Sequence, residues 1–274
     1  MSRRRLTPIQ INGAHVIVTG GSSGIGLATA RLFAQRGATV SILARGADRL
    51  AAAADDLRAA GSVVHTAAVD VADPVALAAA LDDLVASAGP CDVLISCAGL
   101  ARPGRFTELT DDVFRQMIEV DYFGTLYALR HVVPGMVERG QGSVVAVSSA
   151  AGLIGIYGYS AYGAAKFAVR GMMESLRAEL LPHGVHVGVV YPPDVDTPQL
   201  AEESLFKPAE TKAVSGTIKP LQPEVVARAI LAGVEHRRFE ICPDLGTKAL
   251  ARLGSVLSPT LNRIFDGKVA KVRA

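Results

Sequence analysis

Ser149, Tyr162 and Lys166 are the residues of this 274-residue sequence whose types and spacing suit joint chemistry. Tyr162 and Lys166 are four positions apart, so on a helix their side chains share a face one turn apart. An ammonium beside a phenol favours the phenolate, lowering a pKa that is about 10 in isolation. A tyrosine made more acidic in this way can donate a proton to a carbonyl near neutral pH. Ser149, thirteen positions before Tyr162, can hold the same carbonyl oxygen by a hydrogen bond. Tyr-x-x-x-Lys alone is more often a surface pair, so the surrounding elements decide between the two readings.

Those elements are legible in both directions. The run Val144-Val145-Ala146-Val147 predicts a buried strand, broken at Ser148-Ser149 and Gly152 before a helix that begins near Ser160. Upstream, the strand His15 to Thr19 enters Thr19-Gly20-Gly21-Ser22-Ser23-Gly24-Ile25-Gly26 and an alanine-rich helix ending near Arg36. A glycine-rich turn between strand and helix lets backbone N–H groups approach a pyrophosphate at the positive helix end. A tight turn is the plain alternative; the strand before and the helix after favour the nucleotide. The second strand, Thr39 to Ala44, ends without the acidic residue that would bind the ribose 2′-hydroxyl of NAD. Arg45 stands there instead and offers a guanidinium to a 2′-phosphate, so NADPH is the expected cofactor; the alternative is a solvated arginine at a turn.

The alternation continues. Helices are expected over about Asp48–Ala60, Pro74–Ala88, Thr110–Glu138, Ser160–Leu181 and Pro223–Val234, and strands over Val63–Val69, Asp92–Ser96, Val185–Tyr191 and Arg238–Cys242. Residues 199–221 read as irregular with short helical turns. Strands alternating with helices of this length predict an α/β, Rossmann-type doubly wound parallel sheet of about seven strands, with helices on both faces, in a single domain over residues 1–243. Residues 244–274 form a distinct tail. There Leu250, Leu253, Leu257, Leu261 and Ile264 recur at three- and four-residue spacing, and six Lys/Arg against two Asp make the segment +4. Gly254 and Pro259 are expected to break or bend a helix here. The stripe packs on its own domain or a dimer partner, or it lies as a basic amphipathic segment on an anionic membrane.

Composition excludes other classes. A net charge of +2 gives no support for nucleic-acid binding. Cys91, Cys97 and Cys242 are odd in number and widely spaced, and the six histidines include no paired spacing such as His-x-x-x-His. That pattern points to a reducing, cytoplasmic compartment and no metal site. Met1-Ser2-Arg3-Arg4-Arg5 is basic, but no apolar core follows it as in a signal peptide. Residues 140–165 carry no charge, yet their glycines and Ser148, Ser149 and Ser160 fit a strand and pocket wall better than a membrane span.

With Thr-Gly-x-x-x-Gly-x-Gly at Thr19–Gly26, Asp70 before Val71, Cys97-Ala98-Gly99, Ser149 and Tyr162-x-x-x-Lys166 in one order, residues 12–243 resemble the short-chain dehydrogenase/reductases. The resemblance implies that Tyr162 is the general acid, that Lys166 binds the nicotinamide ribose and tunes Tyr162, and that Ser149 orients the substrate carbonyl. It implies a cofactor site drawn from Gly20, Ser22, Ser23, Gly24, Ile25 and Gly26 in the first loop, with Arg45 beyond it. Asp70 would meet the adenine amino group beside Val71, and Thr197 the carboxamide; Ala98, Gly99, Pro192 and Val195 complete the site.

Three segments, Ile42–Leu50, Gly155–Gly171 and Tyr191–Thr211, are similar to those of 3-ketodihydrosphingosine reductases, which reduce 3-ketosphinganine to sphinganine with NADPH in sphingolipid biosynthesis. That similarity implies a long-chain keto-lipid substrate. The apolar loop Leu153-Ile154-Gly155-Ile156-Tyr157 suits an alkyl chain, each buried methylene contributing about 0.8 kcal/mol. Another lipophilic ketone (steroid, retinoid or 3-oxoacyl) and a non-catalytic nucleotide-binding protein are the alternatives. Family members commonly form homodimers or homotetramers through the helices around Thr110–Glu138 and Ser160–Leu181. Departures from the family pattern are Ser96 and Asp121, each where Asn is usual, and Pro193 in place of Gly. Asp121 stays in the catalytic set, as a carboxylate that can accept hydrogen bonds and favour a charged Lys166.

Overall fold

The computed structural model describes residues 9–216 and 219–273; the basic start Met1–Arg5 and, within the segment 199–221, Thr217 and Ile218 lie outside the described residues. Seven strands form one parallel sheet: β1 (His15–Thr19), β2 (Thr39–Ala44), β3 (Val64–Ala68), β4 (Val93–Ser96), β5 (Gly142–Val147), β6 (Val185–Val190) and β7 (Glu240–Ile241). Their order is β3-β2-β1-β4-β5-β6-β7. The chain winds outward from β1 in one direction, then returns to β4 and winds outward in the other. The crevice where that order reverses, at the carboxyl ends of β1 and β4, is where open α/β sheets take ligands.

The sheet is buried on both sides because its strands are apolar on both faces. On one face Val16, Val18, Val93, Ile95 and Val145 pack with Phe33, Leu57 and Ile230. Those last three come from α1 (Gly24–Gln35), α2 (Ala47–Ala59) and α9 (Pro223–Glu235). On the other face Ile17, Leu94 and Val144 pack with Leu81, Leu129 and Met173. These belong to α3 (Pro74–Ala88), α5 (Gly124–Arg139) and α6 (Ser160–Leu180). The register places Val144 beside both Leu94 and Val187, so this face of the core runs continuously across β4, β5 and β6.

Three elements differ from the sequence-based expectation. The helical region after Thr110 is interrupted: α4 (Asp111–Met117) passes through a π-helical stretch, Ile118–Phe123, before α5 begins. Such a stretch inserts a residue into the helical register, and Asp121 lies inside it. The last strand shortens to two ladder residues, with Val189 N–H donating to Phe239 O just outside it. The tail does not break at Gly254 or Pro259 but forms one helix, α10 (Leu245–Arg273). Proline removes one backbone donor, which an exposed turn tolerates, while packing of one helix face supplies the stability that propensity lacks. Gly254 is buried in that packing, where an added Cβ would reach within 3.9 Å of the Leu153 carbonyl oxygen. Residues 199–221 do contain short helical pieces, α7 (Pro198–Ser204) and α8 (Ala209–Ser215).

Candidate active site

The glycine loop after β1 is shaped by close approach. Gly20 has φ +68°, and a Cβ there would sit 2.8 Å from the Ala98 Cα; one at Gly26 would sit 2.2 Å from the Gly20 carbonyl oxygen. The Thr19 hydroxyl accepts hydrogen bonds from the Cys97 and Ala98 N–H groups, each at 3.1 Å, tying this loop to the end of β4. Ser23 is the N-cap of α1 but makes no side-chain capping bond. The first-turn N–H groups of α1 therefore open onto a cleft of about 560 Å³.

Ser149 follows β5, and its Oγ accepts from the Ala151 N–H at 3.1 Å. Its neighbour Ser148 donates to the Lys166 carbonyl at 2.9 Å, pinning α6 to the strand end. Tyr162 and Lys166 both project inward from α6 and are 8% and 5% exposed. Lys166 Nζ donates to the Val147 carbonyl at 3.1 Å and stands 3.6 Å from Asp121 Oδ1. It lies 5.6 Å from the centre of the Tyr162 ring. Asp121 is fully buried, and its Oδ1 also accepts the Leu100 N–H at 3.0 Å. Ser96 Oγ donates to Thr125 Oγ1 at 3.1 Å, and Thr125 donates to the Asp121 carbonyl at 2.8 Å. The two departures from the family's asparagines thus belong to one hydrogen-bonded chain. Gly99 is the position that permits it, since a Cβ there would lie 2.6 Å from Asp121 Oδ1.

The electrostatics correct one expectation. In this pocket the Tyr162 phenol is held above its ordinary value rather than below it. Burial is the main cause; the Asp121, Glu203 and Asp194 charges add to it, and a hydrogen bond with Ser149 opposes it. Lys166 spends its ammonium on Val147 and Asp121. Asp121 is itself raised, because burial outweighs the stabilisation of its charged form by Lys166 and the Leu100 N–H.

Every residue named from sequence as catalytic or cofactor-binding lines the cleft except Asp121, which lies behind Lys166. Ser22, Ser23, Gly24, Ile25 and Gly26 line it with Arg45, Asp70 and Val71, and so do Ala98, Gly99, Pro192, Val195 and Thr197, with Ala98 packed against Gly20 and Thr197 against Gly24. Thr197 caps α7, accepting the Leu200 N–H at 3.2 Å. Arg45 Nη1 is 3.9 Å from Asp70 Oδ2, with both side chains substantially exposed. Sequence reasoning missed Arg49, which lines the same end of the cleft. The signal was available, because Arg49 follows Arg45 by four residues across the start of α2.

It also missed a polar cluster facing the reaction end. Tyr159, whose ring centre lies 5.6 Å from that of Tyr162, donates its hydroxyl to Glu203. Lys207 Nζ bridges Glu203 at 2.9 Å and Asp194 at 3.2 Å. The far end of the cleft is walled by Ile154, Ile156, Phe206, Val214, Leu250 and Phe265, so α8 and α10 both contribute to it. Of the predicted apolar loop, Ile154 and Ile156 line the cleft, while Leu153 belongs to the core.

A strand-turn-helix glycine cradle at the sheet's switch point, with a serine, a tyrosine and a lysine at the next strand end, defines a dinucleotide-dependent oxidoreductase site. Residues 14–207 match the short chain dehydrogenase family. The chain is 37% identical to the 3-ketodihydrosphingosine reductase of Dictyostelium discoideum, across 98% of this chain and 86% of that protein. It is 42% identical to the 3-dehydrosphinganine reductase of Danio rerio, across 85% of this chain and 71% of that protein. Among solved structures it resembles a single-substitution variant of the actinorhodin polyketide ketoreductase with NADPH, with a TM-score of 0.78, 27% identity, and coverage of 89% of this chain and 99% of that one. The chain belongs to the short-chain dehydrogenase/reductase family.

Proposed function

We propose that this chain reduces 3-ketosphinganine to sphinganine with NADPH, in sphingolipid biosynthesis. The observation that carries the reading is the two-ended cleft: a glycine cradle and arginines at one end, and Ser149 and Tyr162 facing an apolar wall at the other. The names of its relatives in Dictyostelium and Danio support the substrate class. The cradle suits a nicotinamide dinucleotide, because Gly20 and Gly26, where a Cβ would strike Ala98 and the Gly20 carbonyl, let the loop fold tightly enough to turn its backbone and the start of α1 to the cleft. Arg45 and Arg49, with no carboxylate ending β2, favour a 2′-phosphate and hence NADPH over NADH. Asp70, Val71, Ala98, Gly99, Pro192, Val195 and Thr197 complete the walls of that end.

When bound, the reduced nicotinamide supplies the hydride for the ketone carbon. The chain's own groups act on the oxygen. Ser149 donates a hydrogen bond to the carbonyl oxygen, and Tyr162 gives it a proton as negative charge develops. A phenol held above its ordinary value is fully protonated across neutral pH, which is the state an acid requires. Lys166, fixed by Val147 and Asp121, presents its ammonium beside that phenol. 3-Ketosphinganine also carries an ammonium on the carbon next to the ketone. Asp194 and Glu203 both contact the Lys207 ammonium near Tyr162, and two carboxylates set around one cation are a fitting partner for that second ammonium. The free cysteines Cys91, Cys97 and Cys242 suit a reducing, cytoplasmic compartment. We take residues 1–243 as the reductase domain and 244–274 as a tail that finishes its cleft. Assembly as a homodimer or homotetramer through α5 and α6 belongs to the same reading.

The test is NADPH oxidation with 3-ketosphinganine in detergent micelles. Tyr162→Phe should lower kcat by about 10² to 10⁴ while NADPH still binds, as read by nucleotide fluorescence. Turnover at the normal rate by that variant would remove Tyr162 from the acid's role.

A further inference from the structure

The tail helix α10 has two apolar faces, and only one of them is used by the fold. Leu250, Gly254, Leu261 and Phe265 lie on the inward side; Gly254 is buried, and Leu250 and Phe265 line the cleft. Lys268 reaches the Val214 carbonyl at 3.4 Å, which ties this side to α8. Leu245, Leu253, Val256, Leu257 and Ile264 lie on the adjoining side and face solvent, being 83%, 51%, 76%, 41% and 50% exposed. At 3.6 residues per turn these five fall within about 120° of the helix circumference. They form one solvent-facing stripe along most of the helix.

The charge on α10 is one-sided. Lys248, Arg252 and Arg263 are exposed along one border of the stripe, and Lys271 lies near its carboxyl end. Asp266 is the helix's only acidic residue. An apolar stripe bordered by cations matches a surface that is apolar inside and anionic at its boundary. No helix among the described residues is long and apolar enough to cross a membrane.

We propose that the outward face of α10 docks on an anionic lipid bilayer, setting the helix in the headgroup boundary with the apolar end of the cleft beside it. The proposal rests in part on the lipid-reductase reading, because the helix that meets the membrane is also the one whose Leu250 and Phe265 wall the cleft. A substrate with a long alkyl chain then passes from bilayer to cleft along α10 without crossing water. Leu205, 79% exposed beside the cleft residue Phe206, adds a second apolar contact at that end.

The experiment is flotation of the full chain with vesicles of phosphatidylcholine alone, and of phosphatidylcholine with phosphatidylglycerol, at low and high salt. The wild type should float with the anionic vesicles, less so at high salt, and not with the neutral ones. A Val256→Asp, Ile264→Asp double variant should bind the anionic vesicles on the order of tenfold more weakly, while its circular dichroism and its turnover of micellar substrate stay those of the wild type. Equal flotation of the variant, or no wild-type flotation, would overturn the proposal. So would a wild-type oligomer that the variant dissolves without any change in vesicle binding, since a second copy would then cover the face. Flotation that holds in a protein inactive on the micellar ketone would reject the substrate reading and leave the docking face standing.

Discussion

Replacing Asp121 by Asn restores the family's usual residue and removes the buried charge nearest Lys166. The structure sets the size of the effect. Asp121 Oδ1 lies 3.6 Å from Lys166 Nζ, which lies 5.6 Å from the Tyr162 ring centre. Carboxylate and ring centre are therefore separated by no more than about 9 Å, and at that distance and an effective dielectric of about 20 the charge opposes the phenolate by about 1.8 kcal/mol. The Asp121→Asn change should make the phenol a stronger acid by roughly twentyfold. The sign follows from the direction of the reaction. Reduction needs Tyr162 protonated, so activity falls as pH rises through its ionisation, and an Asp121 carboxylate ion-paired with Lys166 opposes that ionisation. The variant's alkaline limb in kcat/KM should move to lower pH by about one unit. The assay is kcat/KM for NADPH-dependent ketone reduction at a series of pH values, with nucleotide fluorescence as the binding control. An unmoved limb would show that Asp121 does not communicate with the phenol and would refute the reasoning.

Three further outcomes are expected. Arg45→Ala should raise the KM for NADPH about tenfold and leave that for NADH unchanged, as loss of one charge-assisted hydrogen bond to phosphate requires; equal effects on both cofactors would place the arginine elsewhere. Gly99→Ala would set a Cβ 2.6 Å from Asp121 Oδ1 and 3.3 Å from Lys166 Nζ. Overpacking of that kind costs about 1–3 kcal/mol, so a lower Tm and a lower kcat should appear together, and a fully active, equally stable variant would contradict the described contact. Asp194→Asn should lower the ratio of kcat/KM for 3-ketosphinganine to that for the same ketone lacking the amine, whereas a purely structural Asp194 would lower both and keep the ratio.

Sequence and structure agree most closely where buried apolar runs meet glycine. The runs of β1, β2 and β5 are continuous enough to name their strands, and the spacing of Gly20, Gly24 and Gly26 needs only a strand before it to be read. Ser149, Tyr162 and Lys166 are legible because each side chain is tied to a regular element. Asp121 was legible as an unusual residue but not as part of a π-helical stretch, because one inserted residue leaves no trace in a pattern of mixed polarity. The elevated phenol of Tyr162 depends on burial and on carboxylates from other elements, which no local spacing reveals. The Tyr159–Glu203–Lys207 cluster joins residues 44 positions apart in its longest link. In the tail, Gly254 and Pro259 argued locally for a break that packing against the cleft overrides.

The family match ends at residue 207, and the cleft does not. Glycine loop, serine, tyrosine and lysine all fall within the matched stretch, whereas Val214, Ser215, Leu250 and Phe265 come after it and wall the other end of the same cavity. Part of the substrate-facing wall thus follows the reaction centre in the chain, while Ile154, Ile156 and Phe206 are interleaved with it before residue 207. A descendant can exchange or lengthen the latter part and change what it accepts without disturbing the groups that move the proton. Recombination near residue 207 would pass on the catalyst whole and leave the part of its specificity carried by α8 and α10 to be rewritten.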